Sequence, residues 1–227
     1  MVKTELIQRS PVRIFEKSIH GGLNPGELGV IAAPSGLGKT SVLVQLALDK
    51  LLQSKKVIHV SYTKHTDYVL GWYENIFNEF FRKNSLENMD DLKDELVKNR
   101  VLMKFSQDSF SGEQVRRSLT ALIREGGFNA EAIIIDGFDF KNDSRERFAQ
   151  DKELAQSLNL AVWHSYTTAG GEIPSALAEA LDLVDVLILL EPRGDHVAFW
   201  VAKNRDILST EQMALRLDPK TLLILEG

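Results

Sequence analysis

Three groups of residues carry the chemistry available to this sequence. The first is "APSGLGKT", Ala33-Pro34-Ser35-Gly36-Leu37-Gly38-Lys39-Thr40, set between the apolar run "LGVIA" and the periodic stretch "SVLVQLALDKLL". An Ala or Gly, four residues, then Gly-Lys-Ser/Thr is a spacing at which successive backbone N–H groups turn inward around a phosphate. Gly36 and Gly38 supply the tight backbone, Lys39 would reach the terminal phosphates, and the Thr40 hydroxyl would ligate Mg²⁺. With Ser41 the candidate nucleotide-binding stretch runs over residues 33–41, and a helix beginning at Lys39 would point its positive end at the anion. The second group is Asp136, at the end of the apolar run "AIIID". A carboxylate at the carboxyl end of a buried parallel strand can hold Mg²⁺ through water, opposite Thr40. The third group is Lys203 and Arg205 in "AKNRD", which by themselves read as solvated charges on a surface strand. Alternation along a strand would put these two on one face, with Asn204 on the other, so both could aim at one anion.

Such groups need a scaffold. Short apolar runs at 29–33, 57–62, 101–105, 132–136 and 160–165 alternate with helical patterns at 39–53, 66–82, 89–99, 112–125 and 144–158. That alternation predicts an α/β fold with a mostly parallel central sheet covered by helices on both faces. Ser111 with Gln114 reads as a capping box for the fourth helix. After a short helix near 175–181 the pattern changes to "VDVLILL", "HVAFWVAK", "MALRL" and "TLLIL", joined by "PRGD" and "DPKT". Those turn signals predict antiparallel hairpins on the edge of the parallel sheet. In the second helix Val69, Trp72, Tyr73, Ile76, Phe77, Phe80 and Phe81 recur at helical spacing, which fits either a core face or a docking face.

Composition narrows the classes. The 227 residues are 44% hydrophobic and 26% charged, with no cysteine, so disulfides and thiolate metal sites are excluded. The start, "MVKTELIQRSPVRIFEKS", is too polar for a signal-peptide core, and the longest apolar runs are strand-length, so the expectation is a cytoplasmic protein with no membrane segment. A net charge of −5 without a dense Lys/Arg tract argues against tight non-specific nucleic-acid binding. No linker or repeat divides the chain. The expected organisation is an N-terminal segment, 1–17, followed by one domain, 18–227.

Taken together, "GGLNPGELGVIAAPSGLGKTSVLVQLA", "AIIIDGFDF" and "FWVAKNRDILSTEQMALRLD" resemble the RecA-like P-loop ATPase core. The branch most resembled is that of the DnaB replicative helicase motor, KaiC and bacterial RadA. The resemblance runs from about residue 18 to the C-terminus and is loose between about 66 and 99. It implies a RecA-like fold, ATP with Mg²⁺ as ligands, and Lys39 as a catalytic residue. It also implies assembly with copies of itself, a hexamer in the helicases. Lys203 and Arg205 match that family's "K-x-R", whose basic residues act in trans on a neighbour's nucleotide.

The chain also departs from the family. The glutamate that polarises the attacking water ends the strand after the phosphate-loop helix; here that strand ends "VIHVSYTKH", with Thr63 nearest the position and Tyr62 or Lys64 beside it. Threonine cannot accept a proton at neutral pH, so base assistance of roughly 10²–10⁴-fold would be lost. Asp67 and Glu74 are the nearest downstream acids, within or beside the next helix, and Asp139 could substitute from across the cleft. The expected Gln of the sensor strand is missing from "VWHSYTTAGGEIP", leaving His164, Ser165 or Thr167 to face a γ-phosphate. These departures favour an ATP-binding switch or slow ATPase with nucleotide at subunit interfaces. The alternatives are a helicase-type motor stimulated by single-stranded DNA and a KaiC-like regulator of a protein partner, with little hydrolysis.

Overall fold

The computed structural model describes residues 2–62, 66–84, 89–140, 144–170 and 173–227. Nine strands form one sheet in the order β3-β2-β4-β5-β1-β6-β7-β8-β9. The parallel part comprises β1 (Leu28–Ala33), β2 (Lys56–Ser61), β3 (Arg100–Lys104), β4 (Ala130–Asp136), β5 (Ala161–Thr167) and β6 (Val186–Arg193). β7 (His196–Asn204), β8 (Ile207–Leu217) and β9 (Ile224–Glu226) add antiparallel to β6, so the expected α/β, mostly parallel sheet with a C-terminal antiparallel ribbon is the observed one.

The central strands are apolar because both their faces are covered. α1 (Val2–Gln8), α2 (Val12–Ser18), α3 (Lys39–Leu52), α4 (Thr66–Asn84) and α5 (Met89–Lys98) contribute to one core, against Ile31, Ile134, Trp163 and Phe199. α6 (Gly112–Arg124), α7 (Ser144–Leu158) and α8 (Ser175–Ala178) cover the opposite face. Ser111 and Gln114 close the capping box of α6. On α4, Val69, Tyr73, Ile76, Phe77 and Phe81 are buried, and Trp72 and Phe80 pack partly buried beside them. The aromatic stripe is a core face. Gly29 permits a close approach: a Cβ there would lie 2.5 Å from the Trp163 ring, so this position of β1 must stay bare for β5 to carry an indole.

Most boundaries shift by one to three residues from the sequence expectation, and three of the differences are instructive. The 175–181 helix is only one turn, Ser175–Ala178. β8 starts at Ile207, well before "MALRL", because its first half is largely exposed and shows no apolar alternation. β9 begins at Ile224, because Asp218 ties the backbone before it into a turn: Lys220 N donates to Oδ1 (2.9 Å) and Thr221 Oγ1 to Oδ2 (2.8 Å). Among the described residues, no helix is long and apolar enough to cross a membrane.

Candidate phosphate-binding site

β1 ends at Ala33, and the chain turns through residues 34–38 into α3. Gly36 and Gly38 have φ of +82° and +88°, a left-handed backbone that a side chain would strain. Gly38 is also pressed by the antiparallel ribbon, since a Cβ there would lie 2.3 Å from Leu217 Cδ2. Among the described residues no side chain caps α3. The N–H groups of its first turn therefore lack the usual side-chain acceptor and are suited to an anion. Ser35 and Gly36 are exposed, and Pro34, Leu37, Gly38, Lys39 and Thr40 are half-buried. Lys39 Nζ donates to the carbonyls of Ala33 (2.9 Å) and Pro34 (3.0 Å), holding the ammonium across the loop. Burial lowers the Lys39 pKa, with the charge of Asp136 opposing the shift.

Asp136 ends β4, and β5 lies between β4 and β1. Two strand spacings of about 4.8 Å would set the two strand ends roughly 10 Å apart. The start of α3 bridges that gap: Thr40 Oγ1 donates to Asp136 Oδ2 at 2.8 Å, and Asp136 is 2% exposed. Its surroundings fix it further, because Tyr62 N donates to the Asp136 carbonyl (2.9 Å) and Gly137 N to Ser165 Oγ (2.9 Å). A hydroxyl and a carboxylate so joined are oxygen groups of the kind that could face a Mg²⁺ held mainly by phosphates and water. No cluster of three or more His, Asp or Glu among the described residues could hold a metal by itself. Ser41 points the other way and donates to the Leu222 carbonyl, to which Gln45 Nε2 also donates at 2.9 Å. Ser41 is thereby part of the join between α3 and the C-terminal ribbon.

The arrangement expected for Lys203 and Arg205 is corrected. β7 ends at Asn204, and Arg205 adopts φ +54° in the turn beyond it, so alternation does not place the two on one strand face. Lys203 pairs with Leu187, which is the partner of Val30. Asn204 pairs with Val186, the partner of Gly29. Both basic residues thus flank the amino end of β1, on the order of 13 Å of strand from the loop after Ala33. Arg205 uses all five of its donors within the chain. Nε and Nη2 each reach the Glu27 carboxylate at 2.9 Å, and Nη2 also reaches the Gly22 carbonyl at 2.8 Å. Nη1 reaches the Ile19 carbonyl at 2.8 Å and Asn204 Oδ1 at 2.7 Å. Burial tends to raise the Glu27 pKa, but hydrogen bonds from Asn24 and Arg205 prevail and hold it below the ordinary value. Lys203 Nζ donates to the carbonyls of Leu181 and of Val184, the latter at 2.6 Å.

Of the candidate sensors, Thr167 is exposed at the end of β5 beside Ala33, and Ser165 holds Gly137. His164 is fully buried, with Nε2 3.1 Å from Asp151 Oδ2, an oxygen that also accepts from Arg147 Nε at 2.6 Å. Burial lowers the His164 pKa against the opposing pull of the Asp151 carboxylate, and the ring packs in the core against α7. Asp139 is exposed and exchanges backbone bonds with the Gln107 amide at 2.7 and 2.9 Å. Glu74 is exposed on α4. Thr63 and Lys64, at the expected place of the catalytic acid, and the Asp67 side chain lie outside the described residues. Sequence reasoning missed Arg205 as the brace of the 19–27 loop and Gln45 as the link to the ribbon, because their distant partners lie about 180 residues away in sequence and include backbone groups. No protein-family model matches the chain, and no curated protein matches it significantly.

Proposed function

We propose that this chain binds ATP with Mg²⁺ on the loop and helix start formed by residues 33–41, as a RecA-like nucleotide-dependent switch or slow ATPase. The observation that carries the reading is the 2.8 Å contact between Thr40, on the phosphate-loop helix, and Asp136, at the end of β4. It joins a hydroxyl to a buried carboxylate where the spacing of "APSGLGKT" calls for a metal. In this reading the backbone amides after Gly36 hold the phosphates, and Lys39 exchanges its two loop carbonyls for phosphate oxygens. Thr40 and Asp136 orient the metal, which neutralises phosphate charge. Lys203 and Arg205 lie away from this chain's own loop, so their part in the reading is confined to a neighbouring chain's nucleotide, with the nucleotide then at a subunit interface. The RecA-like assignment is supported by the sequence resemblance together with a mostly parallel sheet that ends in an antiparallel ribbon. Slow turnover follows from the absence of an acid at Thr63.

Isothermal titration calorimetry with Mg-ATP tests the site. Lys39→Ala removes a charge-assisted contact, so the affinity should fall about ten- to a hundredfold while the thermal unfolding midpoint stays put. An affinity unchanged by Lys39→Ala removes the phosphate-loop reading.

A further inference from the structure

Two neighbours, Ile207 at 61% and Leu208 at 71%, are the most exposed large apolar side chains among the described residues. They open β8, just after Arg205 and Asp206 turn the chain out of β7. β9 pairs with β8 only over residues 215–217, so this tip lies beyond the strand that covers the other end of the edge. Alternation points the two side chains to opposite faces, since Ile207 pairs with Asn204 and Leu208 with Lys203. A side chain held on a bonded strand loses little freedom when it is buried, which suits an anchor.

Elsewhere on the chain a cavity of about 100 Å³, partly open to solvent, lies between the α1–α2 turn, α3, α4, α5 and the start of β9. Leu48, Leu52, Ile76, Phe77, Phe81 and Leu96 form its apolar wall. Asp49 also lines it, but that carboxylate is 2% exposed and accepts from Arg13 and Gln53, so what the cavity offers is apolar contact.

We propose that Leu208 of one chain seats in this cavity of a second copy. Size selects an aliphatic group: about 150 Å³ holds the six carbons of benzene, so about 100 Å³ holds roughly four, the side chain of one leucine. The rings of Tyr68 and Phe110, also exposed, are too large for it. Leu70 and Val97 are less exposed than Leu208 and sit within helices, where neighbouring turns shield their stems. Charge selects the same tip. Asp206 and Glu211, both exposed, flank Leu208 in sequence, and Arg9, exposed as well, lines the cavity, so the two surfaces approach with opposite charges. Knob and cavity are different patches of one chain, so each copy gives a leucine and receives one. The contact includes no residue of the phosphate loop and needs no nucleotide, so its failure and the failure of the ATP reading are separate.

Sedimentation equilibrium of the full chain without nucleotide, over about a hundredfold range of concentration, tests the proposal. The mean mass of the unaltered chain should rise with concentration. Leu208→Ser should associate at least about tenfold more weakly, as after loss of an interface anchor, with its circular dichroism unchanged. Leu48→Phe, which fills the cavity from α3, should fail to associate with itself. Mixed with Leu208→Ser, whose cavity is intact, it should give a species of two chains and nothing larger. The peptide NRDILSTEQ, residues 204–212, titrated into the unaltered chain should shift amides of α3, α4 and α5, and the same peptide carrying Leu208→Ser should not. The peptide comparison uses the unaltered protein and decides the matter even if Leu48→Phe does not fold. Association unchanged by Leu208→Ser, or peptide shifts that do not depend on the leucine, overturn the proposal. A chain that stays monomeric while the peptide still seats in the cavity overturns the second copy as occupant and gives the cavity to a leucine of another protein.

Discussion

Two cationic groups sit at opposite ends of β1, and both hold backbone carbonyls. Lys39, after the carboxyl end, has two acceptors, neither of them charged. Arg205, near the amino end, has five, two of which are the oxygens of one carboxylate. The difference decides which of them is free to serve a ligand. A phosphate approaching Lys39 replaces neutral carbonyls with charged oxygens, and uncapped helix amides and left-handed glycines stand beside it. A phosphate approaching Arg205 must first displace Glu27, whose carboxylate is held low by the bonds it would lose. Both are cations that donate to backbone carbonyls; saturation of the donors separates them.

The sharpest way to break this contrast is Arg205→Ala. Removing the guanidinium leaves Glu27 and the Ile19 and Gly22 carbonyls without their donor, and loss of these bonds from a part-buried brace costs about 2 kcal/mol. The urea midpoint should fall accordingly, while the affinity for Mg-ATP changes less than about twofold, since no phosphate contact is lost. Stability within about 0.5 kcal/mol of the unaltered chain would mean that the brace around residues 19–27 is decorative. The contrast would then lose its basis.

A smaller effect should appear at the other end. Asp136→Asn keeps the shape that accepts from Thr40 but removes the charge facing a metal. ATP affinity should drop about tenfold in the presence of Mg²⁺ and stay within about twofold in EDTA. Equal losses in both conditions would make Asp136 a folding residue of β4 and leave Thr40 without a metal to orient.

How much of this was legible beforehand follows from how local each signal is. The candidate phosphate loop lies within eight consecutive residues, and Asp136 ends a run whose apolar continuity comes from burial on both faces, so the turn between β1 and α3 and the end of β4 could be read directly. Helices α3, α6 and α7 each carry several turns of periodicity or a cap. α1 and α2 have seven residues each, too few for a period to stand out, although Leu6, Val12 and Phe15 are buried by them. Arg205 was misplaced for a deeper reason. Its partners at Ile19 and Gly22 are carbonyls, which every residue possesses, so no residue type announces the contact. Asp49 was invisible likewise: the sequence shows an acid between Leu48 and Lys50 on a helix, and only packing reveals that it is buried.

The smallest expected effect sharpens the contrast at Lys203. Its ammonium has three donors, and two of them go to the Leu181 and Val184 carbonyls. Burial lowers its pKa, and Asp185 heads the acids that oppose the shift. Lys203 is therefore intermediate, more engaged than an exposed lysine and less saturated than Arg205. Lys203→Met keeps the aliphatic stem on β7 while removing the head, so the cost should be about 1 kcal/mol, the worth of an ordinary hydrogen bond or two. Light scattering with a saturating non-hydrolysable ATP analogue and Mg²⁺ then provides the discriminating measurement. If Lys203 only braces the chain after α8, any nucleotide-driven assembly is the same in the variant and the unaltered protein. If the variant binds the analogue normally yet no longer assembles with it, Lys203 reaches the nucleotide of a neighbouring chain. The amino end of β1 would then be half of a shared site, and the separation of a ligand-facing end from a structural end would fail.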